Sequence, residues 1–141
     1  ELKDKNPKNT LAAKFSVPFA IATTLVNRSS CVNAFSNKAI TNKEIISLCQ
    51  KVTVTENPEH TDKLPDFRPA KVEVIFSNGK SINHSVKTNR GDWQDPYTKE
   101  QIKEKFSSLT SRIWSKNKSD LTFRNIMDAD INDFGYLTWF N

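Results

Sequence analysis

At 141 residues, with 36% apolar and 26% charged positions, the chain has room for one domain built on one main core, and its nine phenylalanines must supply much of the buried volume. No run approaches the roughly 18 apolar residues of a membrane helix, and the opening ELKDKNPKNT is nothing like a signal peptide, so membrane and secreted classes are set aside and a cytoplasmic protein is expected. The net charge of +5, from 21 basic and 16 acidic residues, favours anionic partners, but the lysines are spread along the chain with no dense block and no aromatic-basic platform of the kind that binds RNA.

The first ten residues read as a polar lead-in. In KFSVPFAIATTLVN, the residues Phe15, Phe19, Ala22, Leu25 and Val26 fall at helical spacing. Ser16 is a natural cap and Pro18 is tolerable only in a first turn, so the helix is expected to start near Val17 and, being apolar nearly all round, to be buried. TNKE, with Thr41 and Glu44, has the form of a capping box for a second, shorter helix through Ile45, Ile46, Leu48 and Cys49. KVTVTEN then alternates, with Val52 and Val54 on one face, and predicts a strand; residues 56–69 predict a loop.

AKVEVIFSNGKSINHSVKT is the clearest local signal. Val72, Val74 and Phe76 share one face, Asn78-Gly79 supplies a turn, and Ile82, His84 and Val86 alternate on the return. A type I′ hairpin turn is expected, because both of its central positions need positive φ. After Pro96, Thr98 and Gln101 make a second capping box, and Ile102, Phe106, Leu109 and Ile113 form one apolar stripe. SKNKSD reads as a polar break, followed by a short helix and a terminal piece rich in Phe134, Tyr136, Leu137, Trp139 and Phe140, too apolar for a free tail. The order of elements predicts an α+β fold: a small, mainly antiparallel sheet with helices on one side, plus a C-terminal helical return.

Chemistry-bearing residues are sparse. Cys31 and Cys49 form no CxxC pair and have no histidine spaced to complete a zinc site, so both read as reduced, half-buried thiols, and neither a metal nor a cofactor is expected. The sequons beginning at Asn27, Asn83 and Asn117 carry no weight without a secretion signal. His84, between Ile82 and Val86, reads as a packed strand residue, and His60 as solvated. The segment NRGDWQDPYTKEQIKEKF holds an Arg-Gly-Asp triplet. As an adhesion ligand it would need secretion; as structure, Gly91 lets the chain turn, Asp92 hydrogen-bonds backbone and Trp93 packs on the following helix.

Taken together, AAKFSVPFAIATTLV, ITNKEIISLCQKVTV, RPAKVEVIFSNGKSINHSV and NRGDWQDPYTKEQIKEKF resemble, in order and spacing, the C-terminal part of the MmgE/PrpD family, over about residues 10–118. The family includes 2-methylcitrate dehydratase, cis-aconitate decarboxylase and iminodisuccinate epimerase. The resemblance implies a two-domain enzyme in which a helical domain carries most catalytic groups and a smaller α+β lid covers the cleft. Residues 1–118 would be that lid and residues 119–141 a return segment packing on the helical domain, in keeping with a chain that opens on Glu1 as part of something longer.

It further implies a small di- or tricarboxylate substrate, dehydration or isomerisation without a metal, and an isolated chain that is inactive. Substrate contacts would come from Lys14 and Ser16, at the start of the first long helix, and from Arg90 and Asp92 in the loop, Arg90 offering a bidentate fork to a carboxylate. The chain departs from the dehydratase and decarboxylase branches at Phe15 and at Gly91-Asp92, where those branches have a nearby histidine and Gly-His; this points to the broader part of the family. Two rival readings are a non-catalytic module for an anionic partner or nucleic acid, and a domain that forms a homodimer through its apolar tail.

Overall fold

The structure, a computed structural model, describes residues 2–129, which fall into two compact units dividing at Pro58. Burial is thus shared between two units where the sequence suggests one main core.

In the first unit, Asn9 accepts the amide of Ala12 at 2.8 Å and caps α1 (Thr10–Phe15), a helix inside what the sequence presents as lead-in and helix start. Ser16 closes it and opens α2 (Val17–Asn27), accepting the Phe19 amide at 3.0 Å, with Pro18 in the first turn as expected. Helix α2 is buried on one face, through Pro18, Phe19, Ala22 and Thr23, and not all round: Leu25 is exposed, and Phe15 sits exposed at the end of α1. The Thr23 hydroxyl is satisfied by the Ala34 carbonyl at 2.6 Å.

A 3-10 turn (Val32–Phe35) leads into α3 (Asn37–Ile40), capped by Ser36, and α4 (Lys43–Lys51). The cap of α4 lies one residue beyond the expected Thr41. Asn42 accepts the amides of Glu44 and Ile45 at 2.8 and 3.3 Å, while the Thr41 hydroxyl donates back to the Asn37 and Lys38 carbonyls and so belongs to the end of α3. Ala13, Phe19, Ala22, Ala39, Ile45 and Cys49 form the core, with Val26, Phe35, Ile40 and Leu48 around it. The polar lead-in is tied to this core: Lys5 reaches the Gln50 carbonyl at 3.0 Å, and its own carbonyl accepts from Gln50 Nε2 at 3.0 Å and Cys49 Sγ at 3.2 Å.

The strand expected at Val52 and Val54 is absent; after α4 the backbone runs without ladder bonds to α5 (Pro58–Thr61), a helical turn in the expected loop. An alternating run becomes a strand only where a partner meets it, and the two strands among the described residues pair with each other. These are β1 (Ala70–Ile75) and β2 (Ser81–Val86), antiparallel with Ala70 opposite Val86, Val72 opposite His84 and Val74 opposite Ile82. The turn is not type I′. The Phe76 carbonyl accepts from Gly79 at 2.9 Å and its amide donates to Lys80 at 2.8 Å, and of Asn78 and Gly79 only the glycine has positive φ, at 81°. That is a three-residue loop with a glycine bulge. No residue of either strand is buried.

Helix α6 (Lys99–Thr110) starts at the expected capping box, with Gln101 N to Thr98 Oγ1 at 3.3 Å and Thr98 N to Gln101 Oε1 at 3.0 Å. The expected polar break is instead the cap and first turn of α7 (Lys116–Asp128): Ser115 accepts the Lys118 amide at 3.3 Å. The proposed boundary between residues 118 and 119 thus lies within a helix, and the apolar piece from Phe134 to Phe140 lies outside the described residues. Phe106 packs 5.4 Å from Phe123 and 6.4 Å from Trp114, and Thr110 and Ser119 share a 2.5 Å hydroxyl contact. The rest of the stripe, Ile102, Leu109 and Ile113, is exposed. Helices with an antiparallel hairpin make the fold α+β, as the order of elements predicts.

Candidate functional site

The Arg-Gly-Asp triplet sits between β2 and α6 in a loop held by its own backbone. Gly91 N donates to the Asp95 carbonyl at 2.8 Å, Asp95 N to that of Asp92 at 3.0 Å, and Asp92 N to that of Asn89 at 3.2 Å. Gly91 is required twice, by a φ of 100° and because a Cβ there would stand 2.6 Å from Cε2 of Tyr97. Tyr97 fills this corner. Trp93, expected to pack on the following helix, is instead 85% exposed, and the ring that lies against Gly91 is that of Tyr97.

Arg90 is the most heavily engaged side chain of the loop. Its guanidinium bonds the Asp95 carboxylate through Nη1 and the Gln101 side-chain oxygen through Nη2, and lies 5.5 Å from the Tyr97 ring centre. Lys105 approaches the same ring at 5.5 Å. Gln101 therefore serves both the helix cap and the arginine. Asp92 accepts from the buried Thr88 hydroxyl at 3.0 Å and from Arg68 at 3.5 Å, and Gln94 donates to the Asp66 carbonyl. Residues 86–90 with Gln94 and Asp95 line an open depression.

Lys14 and Ser16 belong to the first unit. Lys14 is exposed in the last turn of α1. Ser16 is buried, and its hydroxyl is used on both sides, accepting from Phe19 N and donating to the Asp4 carbonyl. Of the four residues singled out by sequence, Arg90 and Asp92 share one loop, and Lys14 and Ser16 flank the end of α1. Sequence reasoning missed Asp95, Tyr97 and Lys105 as neighbours of Arg90; Gln101 was visible, but only as a cap.

Other reactive groups lie apart from this loop. His84 is exposed opposite Val72 rather than packed, and His60 is half-buried in α5. Cys31 is exposed and free, and Cys49 is fully buried, so each departs from the half-buried state expected. Burial pushes the Cys49 thiol up; Asp4 adds to this and Lys5 opposes it. Among the described residues no three His, Cys, Asp or Glu side chains are grouped to hold a metal ion, and no helix is long and apolar enough to cross a membrane.

Residues 2–129, the whole of both units as described, match the family model of the MmgE/PrpD C-terminal domain. The chain belongs to the MmgE/PrpD family. It is 24% identical over 119 residues to cis-aconitate decarboxylase of Aspergillus terreus, a stretch that is 83% of this chain and 24% of that protein. The chain therefore spans about a quarter of the length of that curated relative. Membership in MmgE/PrpD is what the four sequence segments imply, and the match takes in the Arg90 loop, the hairpin and the Ser16 cap together.

Proposed function

We propose that this chain is the lid-type C-terminal domain of a cytoplasmic MmgE/PrpD enzyme that takes a small di- or tricarboxylate and removes a proton next to a carboxylate, leading to dehydration or isomerisation. The observation that carries this reading is the family match over residues 2–129. The base and most charge-stabilising donors come from an N-terminal helical domain of the same protein, because a carbanion-like transition state needs both and the Arg90 loop offers cations with both of its carboxylates, Asp92 and Asp95, already engaged. Lys14 and Arg90 contribute positive charge to substrate carboxylates. Ser16 fixes the first turn of α2 beside Lys14, and Asp92 steadies the loop by accepting from Thr88 within it and from Arg68 ahead of β1. Closure of the lid excludes water. The exposed stripe of Ile102, Leu109 and Ile113 supports a domain that is covered by another part of its protein.

The test is solvent isotope exchange. The protein carrying this chain together with a helical domain is incubated in heavy water with cis-aconitate, 2-methylcitrate or iminodisuccinate, and deuterium is sought at the carbon next to a carboxylate. Exchange or turnover with at least one is expected, and none with the 141-residue chain alone. Turnover by this chain alone, or no exchange by the longer protein, would overturn the reading.

A further inference from the structure

We propose that Asp95 is a built-in competitor for Arg90: its carboxylate occupies the seat that a ligand carboxylate takes, and only a ligand bearing a second carboxylate for Lys87 displaces it with a net gain. The inference deepens the proposed function, on which it rests for the class of ligand.

Three observations carry it. Arg90 is positioned by groups other than Asp95, since Gln101 holds Nη2 and the Tyr97 ring lies 5.5 Å from the guanidinium. Removing Asp95 from Nη1 therefore leaves the fork oriented and one donor edge open. The Arg90 and Asp95 side chains are 42% and 43% exposed, so their pair is a weak one and the released carboxylate has water to return to. The loop itself does not depend on that carboxylate, because Asp95 is fixed through its backbone to Gly91 and Asp92.

The depression beside the pair decides which ligands benefit. Lys87, Asn89 and Gln94 line it along with Arg90, and among the described residues Lys87 is in no ion pair. A monocarboxylate that displaces Asp95 exchanges one carboxylate for an identical one and loses its translational freedom. A di- or tricarboxylate makes the same exchange and places a second charge near Lys87. The selection for polycarboxylates thus comes from a negative charge that the protein supplies itself, a repulsive element set against the wrong ligand.

The experiment titrates the isotope-labelled 141-residue chain with citrate or acetate at constant ionic strength and follows the Arg90 side-chain resonance and the amides of residues 87–95. In the parent sequence citrate is expected to shift these signals and acetate to leave them in place. Asp95→Asn should tighten citrate binding roughly two- to fivefold, the range open to an exposed ion pair, and make acetate binding visible. Arg90→Gln should abolish both. Lys87→Gln, outside the hydrogen-bonded loop, should remove the preference for citrate and guards against an Asp95→Asn chain that folds poorly. Equal responses to citrate and acetate in the parent chain would overturn the proposal, as would an unchanged preference in Lys87→Gln, or unaltered or weaker citrate binding in a natively folded Asp95→Asn. Exchange in heavy water by the longer protein with no effect of these substitutions would sink this inference alone; the substitution effects without exchange would sink the proposed reaction alone.

Discussion

Gly91 answers to two demands at once, a backbone at φ 100° and a tyrosine ring where a Cβ would lie. Gly91→Ala should therefore lower stability by about 1–3 kcal/mol, the usual cost of a residue held in a sparsely populated conformation, and urea unfolding followed by circular dichroism reads it directly. Trp93→Ala, two positions away, should fall within roughly 0.5 kcal/mol of the parent because that ring is exposed. A loss larger than for Gly91→Ala would mean that the indole and not the glycine corner organises the loop. The cysteines divide in the same way. Cys31 is exposed and should react with a thiol reagent in the native protein, whereas Cys49 should react only on unfolding, since burial both shields its sulfur and disfavours the thiolate. Because the folded thiol value is raised, what Cys49 contributes to stability is complete below its unfolded value and is lost as pH rises through the folded one. Mass spectrometry should find one modified cysteine in mildly alkaline buffer and two in denaturant.

Helix starts were the part of the fold most legible in sequence, because a cap is settled by residues a few positions apart. Ser16 and the pair Thr98 and Gln101 sit where their spacing places them. The shift from Thr41 to Asn42 shows the limit: two neighbouring residues could each cap, and the short α3, invisible as a pattern, took the threonine for its own end. Val52 and Val54 failed for a different reason, since alternation reports a face and says nothing of a partner strand. The Arg90 site was half legible; an arginine in a loop can be seen, but its contact with Asp95 depends on how the turn at Gly91 folds back. At α6 the cap has a pH consequence. The Glu100 carboxyl is held below its usual range chiefly by its own backbone amide and then by the Thr98 hydroxyl. A depressed folded value means stability present above the unfolded carboxyl value and lost as pH falls through the folded one. Glu100→Gln should flatten that acid limb in unfolding curves taken from neutral to acid pH, and Thr98→Ala should cost about 1 kcal/mol at neutral pH.

Burial is unevenly shared over the whole molecule. In the first unit Ala13, Phe19, Ala22, Ile45 and Cys49 are essentially inaccessible, and the lead-in is bonded back to Cys49 and Gln50. Among the described residues of the second, burial gathers on α7 at Ser119, Thr122 and Phe123, with Thr88 beside the Arg90 loop, while no residue of β1 or β2 is buried. Local opening is governed by how much apolar surface an element keeps from water, and a two-stranded hairpin alone is marginal. Amide exchange should therefore be slowest in α2 and α4, intermediate in α6 and α7 near Phe106 and Phe123, and fastest in β1 and β2. In rising urea the hairpin amides should lose protection first, and labelling of Cys49 should appear together with the loss of protection in α2 and α4. Simultaneous loss everywhere would show that the hairpin shares the cooperativity of the Phe19 and Ile45 core. If a helical domain covers the hairpin in the longer protein, its amides should slow there while those of α2 and α4 change little, since the latter already lie in a closed core.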